Sequence, residues 1–469
     1  MNALERLANW VATSNRQHTP ANLERAIHSF IDTLACHLSG RNEPVVSAVY
    51  RLMAAGSCGE ISAFGFGRTS AATAALVNAT AAHAQDFDDY NRSSVAHTSA
   101  VLIPVSLAVA EQYERSGAQC LDASIVGLEA MVYLGSVINM DHYLRGWHAT
   151  STLGSIGAAA AASRLMQLDA AQTGAAMSLA TSMIGGFKTQ FGTMAKPLHA
   201  GLAAQAGINA ALFAAGGITA SNQVFDGNPG ITTLWSHSDA SKFAPTVIPH
   251  DGRLAIEREG LFVKCYPCCG YSSRSIDAMI SLISTNQIKP EQIDKIEIEV
   301  PNRHAKVVSY LNPQDVLQAR FSFPFCLAIA AIHGSVKTEH FSDSVIRNPE
   351  VQGLLQRVEV HPYETDPKLE DLSPEAPDHI RVTLKDGRIV AQSVACSRGS
   401  PEQPLNRSEL FEKFWECAGR QTKVGQHEKI EASFNGFADC DSVSELTRQF
   451  DQLGCRIKSR ARPSPARSM

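Results

Sequence analysis

The 469-residue sequence lacks an excess of positive charge. Lysines and arginines number 41 against 46 aspartates and glutamates, which gives a formal net charge of −5. Proteins that bind nucleic acids carry a basic face that neutralises phosphates, and this composition offers none overall. We therefore predict no nucleic-acid partner.

Paired cysteines and a secretory leader are also lacking. The 11 cysteines are an odd number scattered through the chain, and the Cys-x-x-Cys at Cys265 and Cys268 has no second pair nearby. A structural zinc site needs four ligands, so we interpret these cysteines as buried, reduced thiols. Residues 1–12 have the pattern of an amphipathic helix that carries Glu5, which is not typical of a signal peptide. The sequence therefore predicts a cytoplasmic protein.

Charge is scarce between residues 146 and 225, where the only Asp, Glu, Lys and Arg residues are Arg164, Asp169, Lys188 and Lys196. This stretch is dense in glycine, alanine, serine and threonine and contains few bulky apolar residues. A membrane span is a long run of mainly apolar residues, whereas small side chains let helix backbones approach one another. We therefore predict closely packed helices inside a large helical domain, and no membrane partner.

Helical periodicity dominates both ends of the sequence. From residue 22 to about 140 the apolar residues recur with the 3.6-residue period, and helical patterns return after Pro404. We predict that the last helices pack back onto the first ones. The basic, proline-bearing segment 456–469 is typical of a disordered tail.

The middle of the sequence predicts strands. Residues 295–300 alternate strictly between polar and apolar side chains, as in a half-buried strand, and residues 358–360 indicate another strand. Residues 380–390 predict a hairpin, in which Asp386 and Gly387 suit a tight primed turn.

Helical patterns at 273–284 and 323–333 lie between these strands. A smaller α+β domain, 259–404, is therefore expected inside a mainly α protein. The large all-helical domain would comprise residues 1–258 and 405–455, so that both chain ends contribute to it.

A polar segment with three acids and two histidines lies between two helical patterns. Its ionisable residues are His83, Asp86, Asp88, Asp89 and His97. An acidic cluster by itself is most often a solvated turn. This one ends in a histidine immediately before an apolar helical run, which makes it a candidate site.

Two more basic residues occur in the same arrangement. His148 and Lys196 each precede an apolar helical pattern, as His97 does, and Pro197 suits the first turn of a helix, which would put Lys196 at or next to its N-cap. Helix N-termini have free N–H groups and a positive dipole end, so they bind anions. If the three ends converge, they form a pocket for a small molecule with two or three carboxylates. The dipole would also lower the pKa of a nearby lysine or histidine.

At these residues the chain resembles the MmgE/PrpD family, which includes 2-methylcitrate dehydratase, cis-aconitate decarboxylase and iminodisuccinate epimerase. The run 142–154 is most similar to the epimerase branch. The matching segments appear in the family's order and span most of the chain: 82–89, His97, 146–154, 191–201, 264–270 and 319–322.

The resemblance implies a large helical domain formed by both chain ends, with a smaller inserted α+β lid domain. It also implies a homodimer and no metal or organic cofactor. The family's catalytic positions fall on Asp86, His97, His148 and Lys196, with Lys264 as a substrate-binding residue. His97 would be the principal base or acid, with Asp86 orienting it. His148 would be a second acid or base, or a further carboxylate-binding residue. The two lysines would bind carboxylates, and either of them could also transfer a proton.

Ser273 departs from the family pattern, which has a histidine a few residues after the Lys-x-aromatic-Pro motif. We assign Ser273 as a second substrate-binding position. Serine is smaller and does not titrate near neutral pH, and Arg274 could supply a new cation if it turns inward. We therefore predict a poor cis-aconitate decarboxylase that prefers a different, bulkier polycarboxylate.

The function implied is that of a cofactor-independent lyase. It would act on a small di- or tricarboxylate by proton transfer at a carbon next to a carboxylate, in 2-methylcitrate dehydratase-like dehydration or in decarboxylation. An epimerase or racemase of an iminodisuccinate-like acid is one alternative, and a catalytically inactive helical interaction protein is another. A magnesium enzyme built on Asp86, Asp88 and Asp89 is disfavoured, because the sequence has no second acidic cluster at a helical spacing.

Overall fold

A computed structural model describes residues 1–15, 17–54, 57–248, 251–366, 369–419 and 426–453. The predicted tail, 456–469, lies outside the described residues. The described chain is mainly α-helical with two small sheets, as the sequence predicts.

The first part of the chain contains twelve described helices and a two-stranded hairpin that the sequence did not predict. The helices are α1 (Ala3–Thr13), α2 (Pro20–Gly40), α3 (Pro44–Met53), α4 (Ala71–His83), α5 (Thr98–Gln112), α6 (Gly117–Ile138), α7 (Asp141–Leu144), α8 (Ala149–Met166), α9 (Ala170–Thr181), α10 (Ala195–Ala215), α11 (Ile231–Leu234) and α12 (Ala255–Arg258). The hairpin pairs β1 (Ile61–Ala63) with β2 (Gly67–Thr69).

The helices around α10 pack closely because glycines face neighbouring helices. A Cβ atom on Gly207 of α10 would clash with Ala158 of α8, and one on Gly201 would clash with Thr80 of α4. This confirms the interpretation of the small residues between 146 and 225. Two helices, α6 and α10, are long and apolar enough to cross a membrane. The apolar window of α6 is 94% buried inside the protein, so its composition is explained by the core.

The middle of the chain forms a four-stranded sheet with helices between its strands. These elements are α13 (Ser273–Asn286), β3 (Ile293–Pro301), α14 (Asn302–Val307), α15 (Val316–Ala319), α16 (Phe323–His333), α17 (Asp343–Ile346), α18 (Pro349–Leu355), β4 (Val358–Tyr363), β5 (Asp378–Leu384) and β6 (Ile389–Val394). The strand order is β4-β3-β5-β6; β3 and β4 are parallel and the other two pairs are antiparallel. Ile296, Ile298 and Val300 of β3 are fully buried, as the alternation predicts.

The hairpin of β5 and β6 is confirmed, but its predicted turn is wrong. The amide of Gly387 donates to the carbonyl of Leu384 at 2.9 Å, and Gly387 has a φ of +88°. Asp386 does not have a positive φ, which both primed turn types require at the first central residue. The loop that joins β5 and β6 is longer than a two-residue primed turn. It needs a left-handed conformation at only one residue, which is Gly387.

Three helices end the described chain: α19 (Arg407–Ala418), α20 (Gln426–Asn435) and α21 (Ser444–Gln452). The helix α19 packs against α2, as predicted for the returning chain end. Buried hydrophobic residues form two clusters, one drawn from 3–256 and 405–453 and the other from Tyr143 and 262–384. The domain boundaries at 258/259 and 404/405, and a lid role for the middle segment, stay predictions.

Candidate active site

Three basic side chains that the sequence predicts at helix starts line one cavity. His97 is the N-cap of α5 and His148 is the N-cap of α8. Lys196 is the second residue of α10, whose N-cap is Met194, so its predicted position at or next to the N-cap is wrong by one residue. The reason is that the amides of the first helical turn have no intrahelical partner, so Pro197 fits at more than one position there.

Asp86 joins these side chains to Lys264. Its Oδ1 atom lies 2.5 Å from Lys264 Nζ, 3.0 Å from Lys196 Nζ and 3.5 Å from His97 Nε2. Lys264 Nζ also donates to the backbone carbonyl of Asp86 at 2.8 Å. Burial by itself would raise the pKa of Asp86, but the ammonium groups of Lys196 and Lys264 hold it well below its usual range. Asp86 is therefore ionised at neutral pH, between two cations.

Asp88 orients two histidines of the same segment. Its Oδ2 atom lies 2.8 Å from His83 Nδ1 and 3.2 Å from His97 Nδ1. Burial would raise the pKa of Asp88, but the two histidines hold it well below its usual range. An ionised carboxylate only accepts hydrogen bonds, so both Nδ1 atoms carry protons. Each neutral imidazole therefore has its lone pair on Nε2.

Lys196 has two hydrogen-bonding partners and an aromatic surrounding. Its Nζ atom donates to His83 Nε2 at 3.2 Å as well as to Asp86, and lies 5.4 and 5.3 Å from the ring centroids of Phe191 and Phe321. Burial lowers the pKa of Lys196, although Asp86 opposes the shift. Burial is the main cause of this lowered pKa, whereas the sequence analysis attributed a lowered lysine pKa to the helix dipole. Two of the three ammonium protons are engaged, which leaves one for a ligand.

His148 is paired with His199 of α10. Their Nδ1 atoms lie 2.9 Å apart. Burial lowers the pKa of His148 well below its usual value, and burial lowers that of His199 to about 4. Both rings are neutral at pH 7, so one Nδ1 atom donates and the other accepts. The proton on His148 is thereby coupled to the tautomer of His199.

Another part of the cavity wall is built around Asp371. Tyr271 Oη donates to Asp371 Oδ2 at 2.8 Å, and the Nε2 atom of His304 lies 3.3 Å from Oδ1. The rings of Tyr271 and His304 are stacked with centroids 4.1 Å apart. The remaining wall is largely aromatic and apolar, with Tyr90, Tyr143, Phe191, Val307 and Phe321.

Ser273 does not line the cavity, although it was predicted to bind substrate. It begins α13 and is buried, whereas Gly270 and Tyr271 from the preceding turn do line the cavity. Arg274 does not turn inward either. Its guanidinium donates to the carbonyls of Leu372, Ser373 and Ala376, which fixes the segment that carries Asp371.

Two family models match most of the chain. The model of the MmgE/PrpD N-terminal domain matches residues 5–244, and the model of the MmgE/PrpD C-terminal domain matches residues 266–435. The chain belongs to the MmgE/PrpD family. This confirms the resemblance that the sequence motifs indicated.

Curated relatives cover most of the chain. It is similar to the cis-aconitate decarboxylase of Homo sapiens, with 29% identity over 390 residues that cover 80% of this chain and 78% of the relative. The cis-aconitate decarboxylase of Mus musculus is 26% identical over 396 residues, which cover 80% and 77%. The cis-aconitate decarboxylase-like protein oryM of Aspergillus oryzae is 26% identical over 479 residues, which cover 95% and 96%.

Four side chains of this MmgE/PrpD site are of the types that bind metals. One ligand atom from each of His83, Asp86, Asp88 and His97 can be chosen so that all lie within 4.8 Å of one another. However, two ammonium groups already contact Asp86 Oδ1, and the Nδ1 protons of both histidines point to Asp88. A divalent cation here would have to displace a lysine against charge repulsion. The set fits a chain of proton donors and acceptors better than a metal.

Lys413 of α19 supports the cluster from outside the cavity. Its Nζ atom lies 2.5 Å from Asp32 Oδ1 and donates to the carbonyls of Phe87 at 2.7 Å and Lys264 at 2.9 Å. One buried ammonium thereby fixes the backbone next to Asp86 and the backbone of Lys264. Lys413 thereby helps to hold Asp86 and Lys264 at the separation of their 2.5 Å ion pair.

The sequence analysis named His83 and Asp88 in the polar segment but assigned neither a role, although the five-residue spacing between them was a usable signal. Other residues of the site were missed. His199 is the third residue after Lys196, almost one helical turn on, which was also a usable signal. No sequence signal could have identified Asp371 and Lys413, because no local motif relates them to the other residues of the site.

Proposed function

We propose that this protein is a cofactor-independent lyase that acts on a small polycarboxylate by proton transfer at a carbon next to a carboxylate. One observation carries the proposal: Asp86 Oδ1 contacts Lys196 Nζ at 3.0 Å and Lys264 Nζ at 2.5 Å, with His97 Nε2 3.5 Å away, on one cavity. Relatives named cis-aconitate decarboxylases support this reaction class.

His97 is assigned as the general base. Its Nδ1 proton is held between Asp88 and the carbonyl of Asp89, 3.1 Å away, so the lone pair on Nε2 is free to accept a proton. Burial lowers the pKa of His97, which keeps the ring unprotonated at neutral pH. Once it takes up a proton, Asp86 and Asp88 stabilise the imidazolium. This is the logic of a histidine oriented by a carboxylate.

Lys196 and Lys264 are assigned to the substrate's carboxylates. An ammonium in a buried site stabilises the charge that develops on a carboxylate when the neighbouring carbon loses a proton or carbon dioxide. His148 is assigned as the acid that protonates a departing hydroxyl or the resulting carbanion. Its exchange of a proton with His199 provides a route for that proton.

Epimerisation is a second candidate, and one observation favours it. His97 and His148 are two neutral imidazoles on the same cavity, with the ring of His83 4.4 Å from the first and 5.9 Å from the second. An epimerase needs one proton acceptor and one donor on opposite faces of a carbon. The inactive interaction protein is disfavoured, because Asp86, Lys196, Lys264 and His97 line one cavity, and Asp86 Oδ2 is buried there without a hydrogen-bond partner among the described residues.

Solvent deuterium incorporation tests the proposal. The enzyme would be incubated in D₂O with a panel of di- and tricarboxylates, and the products would be followed by proton NMR. We expect one acid to exchange a carbon-bound proton or to lose water or carbon dioxide, and His97→Gln to reduce this at least about a hundredfold. Inversion of configuration at the exchanging carbon, without loss of water or carbon dioxide, would identify the protein as an epimerase. If none of the acids reacted, the proposal that the protein is an enzyme of this class would be refuted.

We also propose a cytoplasmic homodimer that needs no metal or organic cofactor. Exposed apolar side chains on and after α10 support self-association: Leu202, Leu212, Phe213 and Ile218. All ten described cysteines are free thiols, which supports a reducing compartment. Sedimentation equilibrium should give a dimer, and Phe213→Glu should shift it toward the monomer; a monomeric parent protein would refute this proposal.

A further inference from the structure

One thiol lines the cavity, and the mechanism above does not use it. The segment that begins at Lys264 contains three cysteines, which differ in their surroundings. Cys265 donates to the carbonyl of Arg398 at 3.5 Å, and Cys268 is 1% exposed and packs in the second hydrophobic cluster. Among the described cysteines, only Cys269 lines the cavity.

Cys269 and His97 belong to different walls of the cavity. His97 is the N-cap of α5, whose buried residues belong to the first hydrophobic cluster, whereas Cys269 belongs to the second cluster with Tyr271 and Phe321. All four residues line the cavity. A ligand bound between the walls therefore has the imidazole of His97 on one side and the thiol of Cys269 on the other.

The backbone around Cys269 fixes its position. Its amide donates to the carbonyl of Arg320 at 2.9 Å, and its carbonyl accepts from the amide of Ser272 at 2.9 Å. The sulfur accepts a hydrogen bond from the amide of Tyr271, which leaves the S–H group for a ligand. A donor that is oriented before the ligand binds loses little entropy in the reaction.

The thiol is protonated at neutral pH. Burial raises the pKa of Cys269 to about 12, and the charge of Asp86 adds to this shift. Lys264 and Lys196 oppose the shift, so their ammonium groups stabilise a thiolate once the proton has left. A protonated thiol is a poor nucleophile, but it can give its proton to a carbanion, which is a far stronger base than a thiolate.

An unpaired atom of Asp86 indicates where the ligand binds. Within the described residues, its Oδ2 atom is buried and has no hydrogen-bond partner, although Oδ1 contacts Lys196 and Lys264. A buried polar atom without a partner is costly, so it indicates a group that the ligand supplies. Among the charged residues, Asp86 also has the largest effect on the pKa of Cys269, so the thiol lies near this position.

We propose that Cys269 is a catalytic proton donor, which protonates the carbanion on the face opposite His97. The inference rests on the proposed function and assigns its last step. When the carbanion takes the proton, the S–H bond breaks, its electron pair stays on sulfur, and the electron pair on carbon forms the new C–H bond. The thiolate then recovers a proton from solvent water. His148 is thereby left to protonate a departing hydroxyl.

A structural role and a catalytic role for Cys269 predict different results. Without the donor, His97 still removes a proton and returns a solvent deuteron to the same face, so the substrate exchanges while product formation slows. If Cys269 only packs in the wall, exchange and product formation decline together. The ratio of the two rates therefore separates the roles.

The experiment compares the wild type with Cys269→Ser and Cys269→Ala in D₂O, on the acid found by deuterium incorporation. Proton NMR measures exchange into the substrate and formation of the inverted or decarboxylated product. We expect both variants to lower product formation about a hundredfold or more and to keep exchange within about threefold of the wild type. Cys265→Ser is the matched control and should change neither rate, since this thiol does not line the cavity.

Three results would overturn the inference: equal loss of exchange and product formation in a folded variant, wild-type product formation in either variant, or a reaction that only eliminates water and so needs no donor to carbon. Each of these retains the proposed function. If both variants fail to fold, the wild-type product decides, because a donor opposite His97 places deuterium opposite the departing group, and retention of configuration would overturn the inference. A wild type that converts no acid would refute the proposed function, and the role of Cys269 with it.

Discussion

Replacing Lys196 by methionine should remove most of the turnover and leave the fold intact. Lys196 Nζ contacts Asp86 Oδ1 at 3.0 Å and His83 Nε2 at 3.2 Å, and the side chain is 4% exposed. Methionine has a similar length and fits beside the rings of Phe191 and Phe321. The substitution therefore removes a charge without opening a large cavity.

The magnitude follows from what remains after the change. Removing one oriented charged donor from a buried site costs about a hundredfold to a thousandfold in rate, or roughly 3–4 kcal/mol. Leaving a buried carboxylate wholly unpaired would cost roughly 3–5 kcal/mol of stability. Asp86 keeps its partner Lys264 at 2.5 Å, so we expect a smaller loss, of about 1–2 kcal/mol. The activity should fall far more than the stability does.

The pH dependence supplies a second readout. Lys196 is the largest of the charges that lower the pKa of Asp86. A depressed carboxyl pKa contributes stability above the unfolded value, and this contribution is lost as the pH falls through the folded value. Without Lys196 the folded pKa rises, so the variant should lose stability and activity at a higher pH than the wild type on the acid side.

The assay is kcat/KM between about pH 3 and 9 on the acid found in the deuterium screen, with thermal unfolding followed by circular dichroism over the same range. Lys295→Met is the control, because Lys295 pairs with Glu297 and Glu359 on the exposed face of the sheet. Lys196→Arg keeps the charge but changes its geometry and should recover little activity. A folded Lys196→Met variant with more than about a third of wild-type activity would show that Asp86 and Lys264 suffice, and the proposed role of Lys196 would be wrong.

Three further predictions concern metal, pH and Ser273. Turnover should survive exhaustive chelation, and restoration of a chelated, inactive enzyme by magnesium or zinc would contradict this. Burial lowers the pKa of His83 and of His37 to about 3, so each histidine stays neutral in the folded protein below its unfolded pKa near 6.5. As the pH drops below 6.5, the free energy of unfolding should therefore fall by about 1.4 kcal/mol per pH unit for each histidine. Denaturant titrations that show no change in this free energy with pH would refute the prediction. Ser273→His should lower stability by roughly 1–3 kcal/mol and reduce activity through crowding, and thermal unfolding unchanged from wild type would disprove the crowding.

Local sequence patterns predicted the main elements of the fold, although not the hairpin of β1 and β2, because these elements are set by local periodicity. The alternation at 295–300 predicts β3, and the apolar runs after His97 and His148 predict α5 and α8. The turn of the hairpin was not predictable in the same way. The residues at its tip suit two loop types, and the choice between them depends on the pairing register of the strands, which the sequence does not state.

The candidate site was predictable only in part, for a related reason. Residue type and helix position singled out His97, His148 and Lys196, which do line one cavity. Their ionisation depends on burial and on partners distant in the chain. The contact of Lys196 with His83 spans 113 residues, and that of Lys264 with Asp86 spans 178. No local sequence pattern predicts contacts between residues so far apart in the chain.

Lys413 explains why both chain ends are needed for this chemistry. Its ammonium contacts Asp32, the carbonyl of Phe87 and the carbonyl of Lys264 across 381, 326 and 149 residues. The antiparallel bridge between Tyr90 and Phe262 already joins the two segments, and Lys413 adds an ammonium that the carbonyls of Phe87 and Lys264 share. Closing such long loops is entropically costly, so the three contacts of Lys413 depend on the packing of α19 against α2. The site is thus a product of the finished fold, and its reactivity depends on a helix that contributes no side chain to the cavity.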